Sequence, residues 1–375
     1  MFLKKLKLNN FRNYESLNLV FDAKKTLFTG QNAQGKTNIL EAIYYLSGLS
    51  SKRAQKDAEL ILWEKDFCRI QSEILKNDIE IEQEILINPP NKKTLKLNGI
   101  KKNKSSDFLG NLIAVNFCVD DLMLLRGAPV DRRSWIDDCI ARLYPGYQER
   151  LQKYNKIRSH RNNLLKSLRG QSFSEDTMSV WDEQLVISGS NIIFLRLKYL
   201  KEIEEIVREK YNIIAPEENL SLIYNSTIFG AITDFAQYST EEIAQNFKEK
   251  IKEIKEEELI RAKTLIGAHR DDIEFFINEK SALNFASQGQ QRTIVLSLKL
   301  AEIDIIRQKT DDTPLLLLDD VLAELDTSRQ NFLLKSIEND IQTIITSTNS
   351  HGFEPKFLEG VKIYHVKKGE VFEIS

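Results

Sequence analysis

Gly30-Gln31-Asn32-Ala33-Gln34-Gly35-Lys36-Thr37 fits the pattern G-x-x-x-x-G-K-[ST], which cradles phosphate groups. Its glycines let backbone N–H groups wrap closely around phosphates, and a following helix N-terminus adds the positive end of its dipole. In this pattern Lys36 reaches the β- and γ-phosphates and the Thr37 hydroxyl ligates Mg²⁺. The alternative is a chance match, and the position between a predicted strand and a predicted helix argues against it. We therefore predict a nucleotide site.

A run of four leucines at 315–318 ends in two carboxylates, Asp319 and Asp320. A continuous apolar run is typical of a strand buried on both faces, and an open α/β sheet holds its ligands at the carboxyl end of such strands. We expect Asp319 to hold Mg²⁺ through its water shell and Asp320 to polarise the attacking water. The alternative is a core strand followed by a solvated acidic turn.

Shortly before that strand, a serine and a glycine open a long helix that we predict to begin near Gln290. The segment reads Ala286-Ser287-Gln288-Gly289-Gln290-Gln291-Arg292. A helix N-terminus with a free hydroxyl is a further anion site. Here the sequence resembles the ABC-type ATPases, whose signature loop has the form S-x-G-Q.

The ABC resemblance implies a shared nucleotide site. Ser287, Gly289 and Gln290 of one subunit would contact the γ-phosphate held by the P-loop of another. One P-loop and one signature per chain would then imply a homodimer that closes over two ATP molecules. The segment Ala323-Glu324-Leu325-Asp326 is similar to the D-loop that lies along this interface.

Further segments carry a more specific resemblance. They are residues 8–14, 30–38 with Asn38 after the P-loop threonine, 51–53, 57–61, 127–133, 161–162 and 267–272. They resemble motifs of the RecF family of recombination-repair ATPases, with Ala268 and Val119 standing where that family has proline. The resemblance covers nearly the whole chain and is weakest between about 170 and 260.

The RecF resemblance implies an ATP-gated DNA clamp of recombinational repair that also serves DNA replication and the SOS response. ATP with Mg²⁺ would close the dimer on DNA, and slow hydrolysis would reopen it. RecR and RecO would be partners, with loading of the RecA recombinase at gaps as the outcome. Arg12 would touch the nucleotide phosphates, a solvated turn arginine being the alternative. Asn116 lies near the family's Q-loop position, although core packing is the favoured interpretation. For residues 269–272 an anchoring role is favoured over a catalytic one.

Two stretches are candidates for DNA contact. The first flanks the turn predicted at Asn98-Gly99 and contains Lys92, Lys93, Lys96, Lys101, Lys102 and Lys104. The second is the predicted helix 147–169, with Arg150, Lys153, Lys156, Arg158, Arg161, Lys166 and Arg169 against Glu149 alone. Unopposed cations neutralise DNA phosphates, although charge runs are often only solvated faces. We expect the protein to recognise the DNA backbone or the shape of duplexes and gap junctions. Binding to single-stranded DNA is also possible.

Composition narrows the class of protein. The chain has 375 residues, a net charge of −2 and 42% hydrophobic residues, which is typical of a globular protein. No apolar run reaches the roughly 18 to 20 residues of a membrane span. The opening residues lack a secretory pattern, and three scattered cysteines are too few for a disulfide framework or a zinc site. We expect a cytoplasmic protein with no membrane partner.

Other classes share parts of this pattern. A chromosome-organising ATPase carries hundreds of coiled-coil residues where this chain has about 125. A transporter subunit usually has glutamate at the position of Asp320 and a histidine after the next strand, which here ends Ile345-Thr346-Ser347-Thr348. A non-hydrolysing scaffold is a third alternative.

Hydrophobic periodicity predicts the elements that position these residues. Strands are predicted at 2–8, 17–21, 25–29, 67–88, 94–99 and 111–117, and helices at 131–144, 147–168, 177–210 and 240–263 with a strand at 219–224 between them. Strands and helices alternate again from 271. The predicted fold class is α/β: an ABC-type P-loop ATPase core, a mixed sheet plus an antiparallel meander, with a mainly helical inserted lobe. Its predicted parts are 1–130, 131–262 and 263–375.

Overall fold

The computed structural model describes residues 1–144, 146–168, 176–337, 340–349, 353 and 355–374. The chain divides into two units. The sheet unit is Met1–Asp121 with Leu298–Ser375, and the helical unit is Leu122–Ser297. These boundaries differ from those predicted after 130 and 262. Residues 263–297 belong with the helices because a strand within them pairs with a strand of the helical unit.

The strands in chain order are β1 (Phe2–Phe11), β2 (Tyr14–Val20), β3 (Lys25–Thr29), β4 (Cys68–Lys76), β5 (Ile79–Ile87), β6 (Thr94–Leu97), β7 (Ile100–Lys102), β8 (Ala114–Cys118), β9 (Leu220–Ser226), β10 (Gly230–Ile232), β11 (Asp272–Ile277), β12 (Lys280–Ser281), β13 (Leu315–Asp319), β14 (Thr343–Ser347), β15 (Val361–Lys367) and β16 (Glu370–Ile374). The helices are α1 (Lys36–Gly48), α2 (Pro129–Leu143), α3 (Tyr147–Leu168), α4 (Asp176–Ile214), α5 (Thr240–Glu253), α6 (Lys255–Arg261), α7 (Ala282–Phe285), α8 (Gln288–Thr310), α9 (Thr327–Ser336) and α10 (Pro355–Leu358). Short 3₁₀ turns occupy Asp57–Leu60, Ser105–Asp107, Val119–Leu124 and Val321–Glu324.

One sheet of the sheet unit is an antiparallel meander in the order β2-β1-β4-β5-β6-β7. Its strands alternate buried and exposed residues, as in Cys68–Lys76, because only one face covers the core. The turn predicted at Asn98-Gly99 joins β6 to β7, with φ values of 48° and 76°. Positive φ at both positions suits an Asn-Gly hairpin turn, so this prediction is confirmed.

The other sheet of the sheet unit has the order β16-β15-β3-β14-β13-β8. Its strands β15, β3, β14, β13 and β8 run parallel, and β16 returns antiparallel along one edge. The four leucines at 315–318 are at most 1% exposed, as expected for a strand covered on both faces. Because β3, β13 and β14 are parallel neighbours, their carboxyl ends place Thr29, Asp319 and Ser347 at the same edge.

The helical unit contains α2 to α6, the sheet β10-β9-β11-β12 and the short helix α7. Residues Asp272–Ile277 pair along β9, which explains why the second predicted boundary lies too early. The predicted helix at 240–263 is two helices, α5 and α6, because Ile254 departs from helical geometry with φ −100° and ψ 9°. In the part of the chain that the structure describes, no helix is long and apolar enough to cross a membrane.

Candidate nucleotide-binding site

The P-loop lies between β3 and α1, and its backbone requires both glycines of the motif. Gly30 has φ 145°, and a Cβ there would lie 2.4 Å from the carbonyl oxygen of Val366 in β15. Gly35 has φ 117°, and a Cβ there would lie 2.6 Å from Nδ2 of Asn13. Any other residue at either position would have to push backbone or a packed side chain away.

Lys36 is held beneath the loop that it terminates. Its Nζ donates to the carbonyl oxygens of Gly30 at 2.8 Å and Gln31 at 3.1 Å, and the residue is 3% exposed. The turn between β1 and β2 supports the loop from outside, since Asn13 Nδ2 donates to Gln34 O at 3.1 Å. Gln31, Asn32 and Ala33 are exposed, so the outer backbone of the loop faces solvent.

Thr37 and Asp319 meet across the sheet edge, as the two motifs predict. Thr37 Oγ1 donates to Asp319 Oδ1 at 2.9 Å, and Thr346 Oγ1 donates to the same oxygen at 2.8 Å. Burial raises the pKa of Asp319 despite these hydrogen bonds. A hydroxyl beside a carboxylate is an oxygen donor set that suits Mg²⁺. Among the described residues no cluster of three acidic, His or Cys side chains could hold a metal alone, so phosphate and water oxygens would complete the coordination.

Asp320 follows directly at the end of β13 and is held by its backbone. Its φ is 52°, and its N–H donates to Thr346 Oγ1 at 3.0 Å. Thr346 therefore contacts both acidic residues, through Oδ1 of Asp319 and the backbone of Asp320. Thr346 lies on β14 and was not predicted as a site residue. The end of that strand was compared only with the histidine that follows it in transporter subunits. The role of Asp320 toward water stays a prediction.

Two arginines lie beside the first turn of α1. Arg12 is not a solvated turn residue, because its Nε and Nη2 donate to the two carboxylate oxygens of Glu41 at 2.9 and 2.6 Å. Arg53 Nη1 donates to Asn38 Oδ1 at 2.8 Å, while its side chain remains 48% exposed. Arg53 was not predicted as a site residue, although segment 51–53 contributed to the family resemblance. Its partial exposure next to the P-loop helix makes it a candidate phosphate contact.

The signature segment opens α8, which begins at Gln288 rather than near Gln290. The Gln290 N–H donates to Ser287 Oγ at 3.2 Å, and the Ser287 N–H donates to Gln290 Oε1 at 2.8 Å. These reciprocal bonds form a capping box at the helix start. Gly289 lies between them in the first turn. Contact of this segment with a second subunit stays a prediction. In the D-loop segment Asp326 caps α9 by accepting the Arg329 N–H at 3.0 Å.

The candidate DNA residues divide into exposed and internally bound groups. The prediction that Arg161 contacts DNA is wrong, because this residue is 1% exposed and donates to Asp182 at 2.7 Å and to Glu258 at 2.6 Å. Lys93 is bound to Asp57 at 3.2 Å and Lys96 to Glu84 at 2.7 Å, so distant acids oppose cations that look unopposed in sequence. Lys102 and Arg158 are half-buried, and the exposed candidates are Lys92, Lys101, Lys104, Arg150, Lys153, Lys156 and Lys166. Arg169 lies outside the described residues.

Residues 269–272 serve the interior of the helical unit. Arg132 Nη2 binds Asp272 at 2.8 Å, and Tyr224 and Thr227 donate to Asp271. Burial is the main cause that lowers the pKa of His269 to about 3. These contacts agree with the anchoring role. Asn116 lies on β8, and its buried Oδ1 has no hydrogen-bond partner among the described residues.

The loop after β3, the acidic end of β13 and the capped start of α8 define an ATPase head of the ABC type. The family model described as the RecF/RecN/SMC N-terminal domain matches residues 2–371. The chain is 39% identical to the DNA replication and repair proteins RecF of Bacillus cytotoxicus and Bacillus thuringiensis, over 99% of this chain and 98% of each relative. The chain therefore belongs to the RecF family.

Solved structures agree with this assignment. The structure described as the recombination mediator protein RecF-ATP in the RecFOR pathway is 32% identical, covers 100% of this chain and 98% of its own, and gives a TM-score of 0.90. An Smc head bound to the C-terminal winged-helix domain of ScpA is 16% identical, covers 100% of this chain and 98% of its own, and gives a TM-score of 0.54. This second match supports the fold alone, and the predicted fold class is confirmed.

Proposed function

We propose that this chain is an ATP-dependent DNA clamp of recombinational repair that acts in the cytoplasm. The observation that carries the proposal is the 2.9 Å hydrogen bond between Thr37 and Asp319, beside a P-loop whose two glycines have positive φ. A P-loop that meets an acidic strand end in this way is built to bind a nucleoside triphosphate with its metal. The RecF structure similar to this chain is described as an ATP complex.

Different residues of the site would contribute different parts of ATP binding. Lys36 presents a positive charge beneath the loop, and the backbone N–H groups of residues 31–37 face the phosphates. Thr37 and Asp319 would hold Mg²⁺, which supplies charge neutralisation of the β- and γ-phosphates when bound. Asp320 would orient the attacking water. An aspartate reaches one methylene less far than a glutamate, so we expect slow turnover suited to a switch.

The closed state would be a homodimer on DNA. Ser287, Gly289 and Gln290 of one subunit would complete the nucleotide site of the other, since each chain has one P-loop and one signature. Each unit would contribute its own candidate DNA contact: the exposed lysines Lys92, Lys101 and Lys104 in the sheet unit, and Lys153 with its exposed neighbours on α3 in the helical unit. Phosphate contacts of this kind position a protein on DNA without selecting a sequence.

The descriptions of similar structures support a pathway for this chain. The similar RecF structures are described as recombination mediators in the RecFOR pathway, which supports RecR and RecO as partners of this chain. The outcome would be loading of the RecA recombinase at gapped DNA.

The first test is the molar mass in solution with Mg-ATP and with Mg-ADP. We expect a shift from 43.4 kDa to about 87 kDa, twice the monomer, with ATP alone. Repeating the measurement with duplex DNA identifies any contribution of DNA to the interface. A protein that stays monomeric with ATP and DNA together would contradict the clamp.

Two variants separate the parts of the scheme. Ser287→Arg should bind ATP as a monomer but not dimerise, because the larger side chain occupies the space meant for a phosphate. Loss of ATP binding in that variant would contradict the assignment of Ser287 to the partner's site. Asp320→Asn should dimerise with ATP but not hydrolyse it, whereas unchanged function without hydrolysis would favour a scaffold.

A further inference from the structure

A carboxylate lies directly behind the signature segment, on a different element of the helical unit. Gln290 Nε2 donates to Glu218 Oε1 at 2.8 Å, and the hydroxyl of Tyr211 donates to the other oxygen of the same carboxylate. Glu218 lies between the end of α4 and the start of β9. The sequence offers no sign of this pairing, since Glu218 and Gln290 are separated by 72 positions.

This carboxylate decides which way the Gln290 amide faces. A carboxylate only accepts hydrogen bonds, so it holds Nε2 of Gln290 and turns Oε1 away from itself. That Oε1 accepts the Ser287 N–H at 2.8 Å. With the amide reversed, an NH₂ group would face the Ser287 N–H, and the capping box would be broken. Glu218 therefore selects the amide orientation that keeps the first turn of α8 closed.

The closed capping box in turn sets the role of the Ser287 hydroxyl. Its oxygen accepts the Gln290 N–H at 3.2 Å, so the lone pair facing the helix is used. A hydroxyl has one proton to donate, and among the described residues none accepts it from Ser287. The proton is left for a ligand outside the helix, and a phosphate oxygen is an acceptor of suitable charge.

Glu218 is itself held in place. The Asn219 N–H donates to Asn278 Oδ1 at 2.8 Å, and the Asn278 N–H donates to Asn219 O at 2.9 Å. From Leu220 onward, β9 continues along β11. Tyr211, which holds the second carboxylate oxygen, is fully buried at the end of α4. The carboxylate is thus fixed from two sides and cannot follow Gln290 if that side chain turns.

We propose that Glu218 is a positioning residue that acts through Gln290 to present the Ser287 hydroxyl to the triphosphate held by a second copy of this chain. This rests on the proposed ATP-driven dimer. It adds that the signature segment depends on a residue in the connection between the long helix α4 and β9. It also assigns a specific loss of dimerisation to a side chain that touches neither nucleotide nor partner.

The test measures ATP binding and ATP-driven dimerisation separately. Glu218→Ala should bind ATP as a monomer with unchanged affinity and dimerise about 10- to 100-fold more weakly, as expected for loss of a hydrogen bond to a charged group. Glu218→Gln keeps an acceptor but no longer selects the amide orientation, so it should fall between Glu218→Ala and the wild type. The exposed neighbour gives the control, Glu217→Ala, which removes the same charge and should behave as the wild type. Wild-type dimerisation of Glu218→Ala would overturn the proposal.

Mixing variants distinguishes a positioning role from a general loss of structure. Lys36→Met retains an intact signature, and Glu218→Ala retains an intact P-loop, so their mixture should form one complete site and regain ATPase activity. The mixture of Lys36→Met with Ser287→Arg is the reference. If the reference mixture stays inactive, the proposed dimer itself fails. If the reference regains activity and the Glu218→Ala mixture does not, the positioning role is wrong.

Discussion

Two buried cations, one in each unit, have different kinds of partner. In the sheet unit, Lys36 is 3% exposed and is bonded to two neutral carbonyl oxygens. In the helical unit, Arg161 is 1% exposed and is bonded to the carboxylates of Asp182 and Glu258. Within the described residues Lys36 is bonded to no carboxylate, whereas Arg161 is neutralised by two. A buried cation without an acid partner is prepared for an anionic ligand, whereas a paired one holds the interior together.

The largest expected effect tests the uncompensated charge. Lys36→Met should weaken ATP binding at least about 100-fold, because it removes charge-assisted hydrogen bonds to the phosphates. The melting temperature without nucleotide should not fall, since none of the described carboxylates loses a partner. Titration with a fluorescent ATP analogue and thermal unfolding measure both quantities. Lys24→Met, at an exposed position, is the control. A large loss of stability without nucleotide would show that Lys36 holds the fold as well.

The opposite pattern is expected for the compensated charge. Arg161→Met should lower the free energy of unfolding by about 3 to 5 kcal/mol, because the buried carboxylate of Glu258 and the partly exposed one of Asp182 lose their partner. ATP affinity of the folded fraction should be unchanged. Denaturant unfolding measures the loss, and Lys156→Met, exposed on the same helix, should have little effect. A loss below about 1 kcal/mol would mean that these ion pairs are hydrated and that the contrast between the two cations is weaker than proposed.

We expect acid to destabilise the helical unit through His269. Burial lowers the pKa of this side chain to about 3. In the unfolded chain the histidine side chain takes up a proton near pH 6.5. The contribution of neutral His269 to the free energy of unfolding is therefore fully present above about pH 6.5. It is lost as the pH falls from there toward 3, at up to about 1.4 kcal/mol per pH unit. Stability of wild type and His269→Gln measured across this range checks the prediction. Equal slopes for the two proteins would exclude His269 as the cause.

The smallest expected effect is on the salt dependence of DNA binding, which should differ between exposed and ion-paired lysines of the sheet unit. Changing Lys92, Lys101 and Lys104 to Gln should reduce the slope of log DNA affinity against log salt by up to about 0.9 for each phosphate that is no longer neutralised. Changing Lys93 and Lys96, which are bound to Asp57 and Glu84, should leave the slope nearly unchanged. Fluorescence anisotropy at several salt concentrations gives both slopes. An equal reduction in the two sets would show that the ion pairs open on DNA.

Local pattern was enough to predict the parts of the site that lie on single segments. The P-loop, the leucine strand with Asp319 and the serine at the start of α8 each have a composition that reports their structure. Arg161 was misassigned because its acids lie 21 and 97 positions away. A signal was nonetheless present, since Arg161 continues the spacing of Tyr154, Ile157 and Leu165 along the buried face of α3.

The second domain boundary was missed for a similar reason. Periodicity marks where a strand lies but not which strand it joins, and β11 joins β9 across about 46 intervening residues. Thr346, Arg53 and Glu218 were also beyond sequence reasoning, because each becomes part of a site only through a contact between distant segments. Their residue types are common at protein surfaces, so the sequence around them did not mark them as site residues.

The position of β3 between β14 and β15 also determines when the nucleotide site can form during synthesis. The strand that leads into the P-loop leaves the ribosome long before residues 343–367, which supply both of its neighbours in the sheet. At about 5 to 20 residues per second the growing chain waits roughly 15 to 70 s before β3 can be paired. Until then its apolar residues are a target for chaperones and for wrong pairing. Slowly translated or truncated copies should therefore aggregate before they can bind ATP.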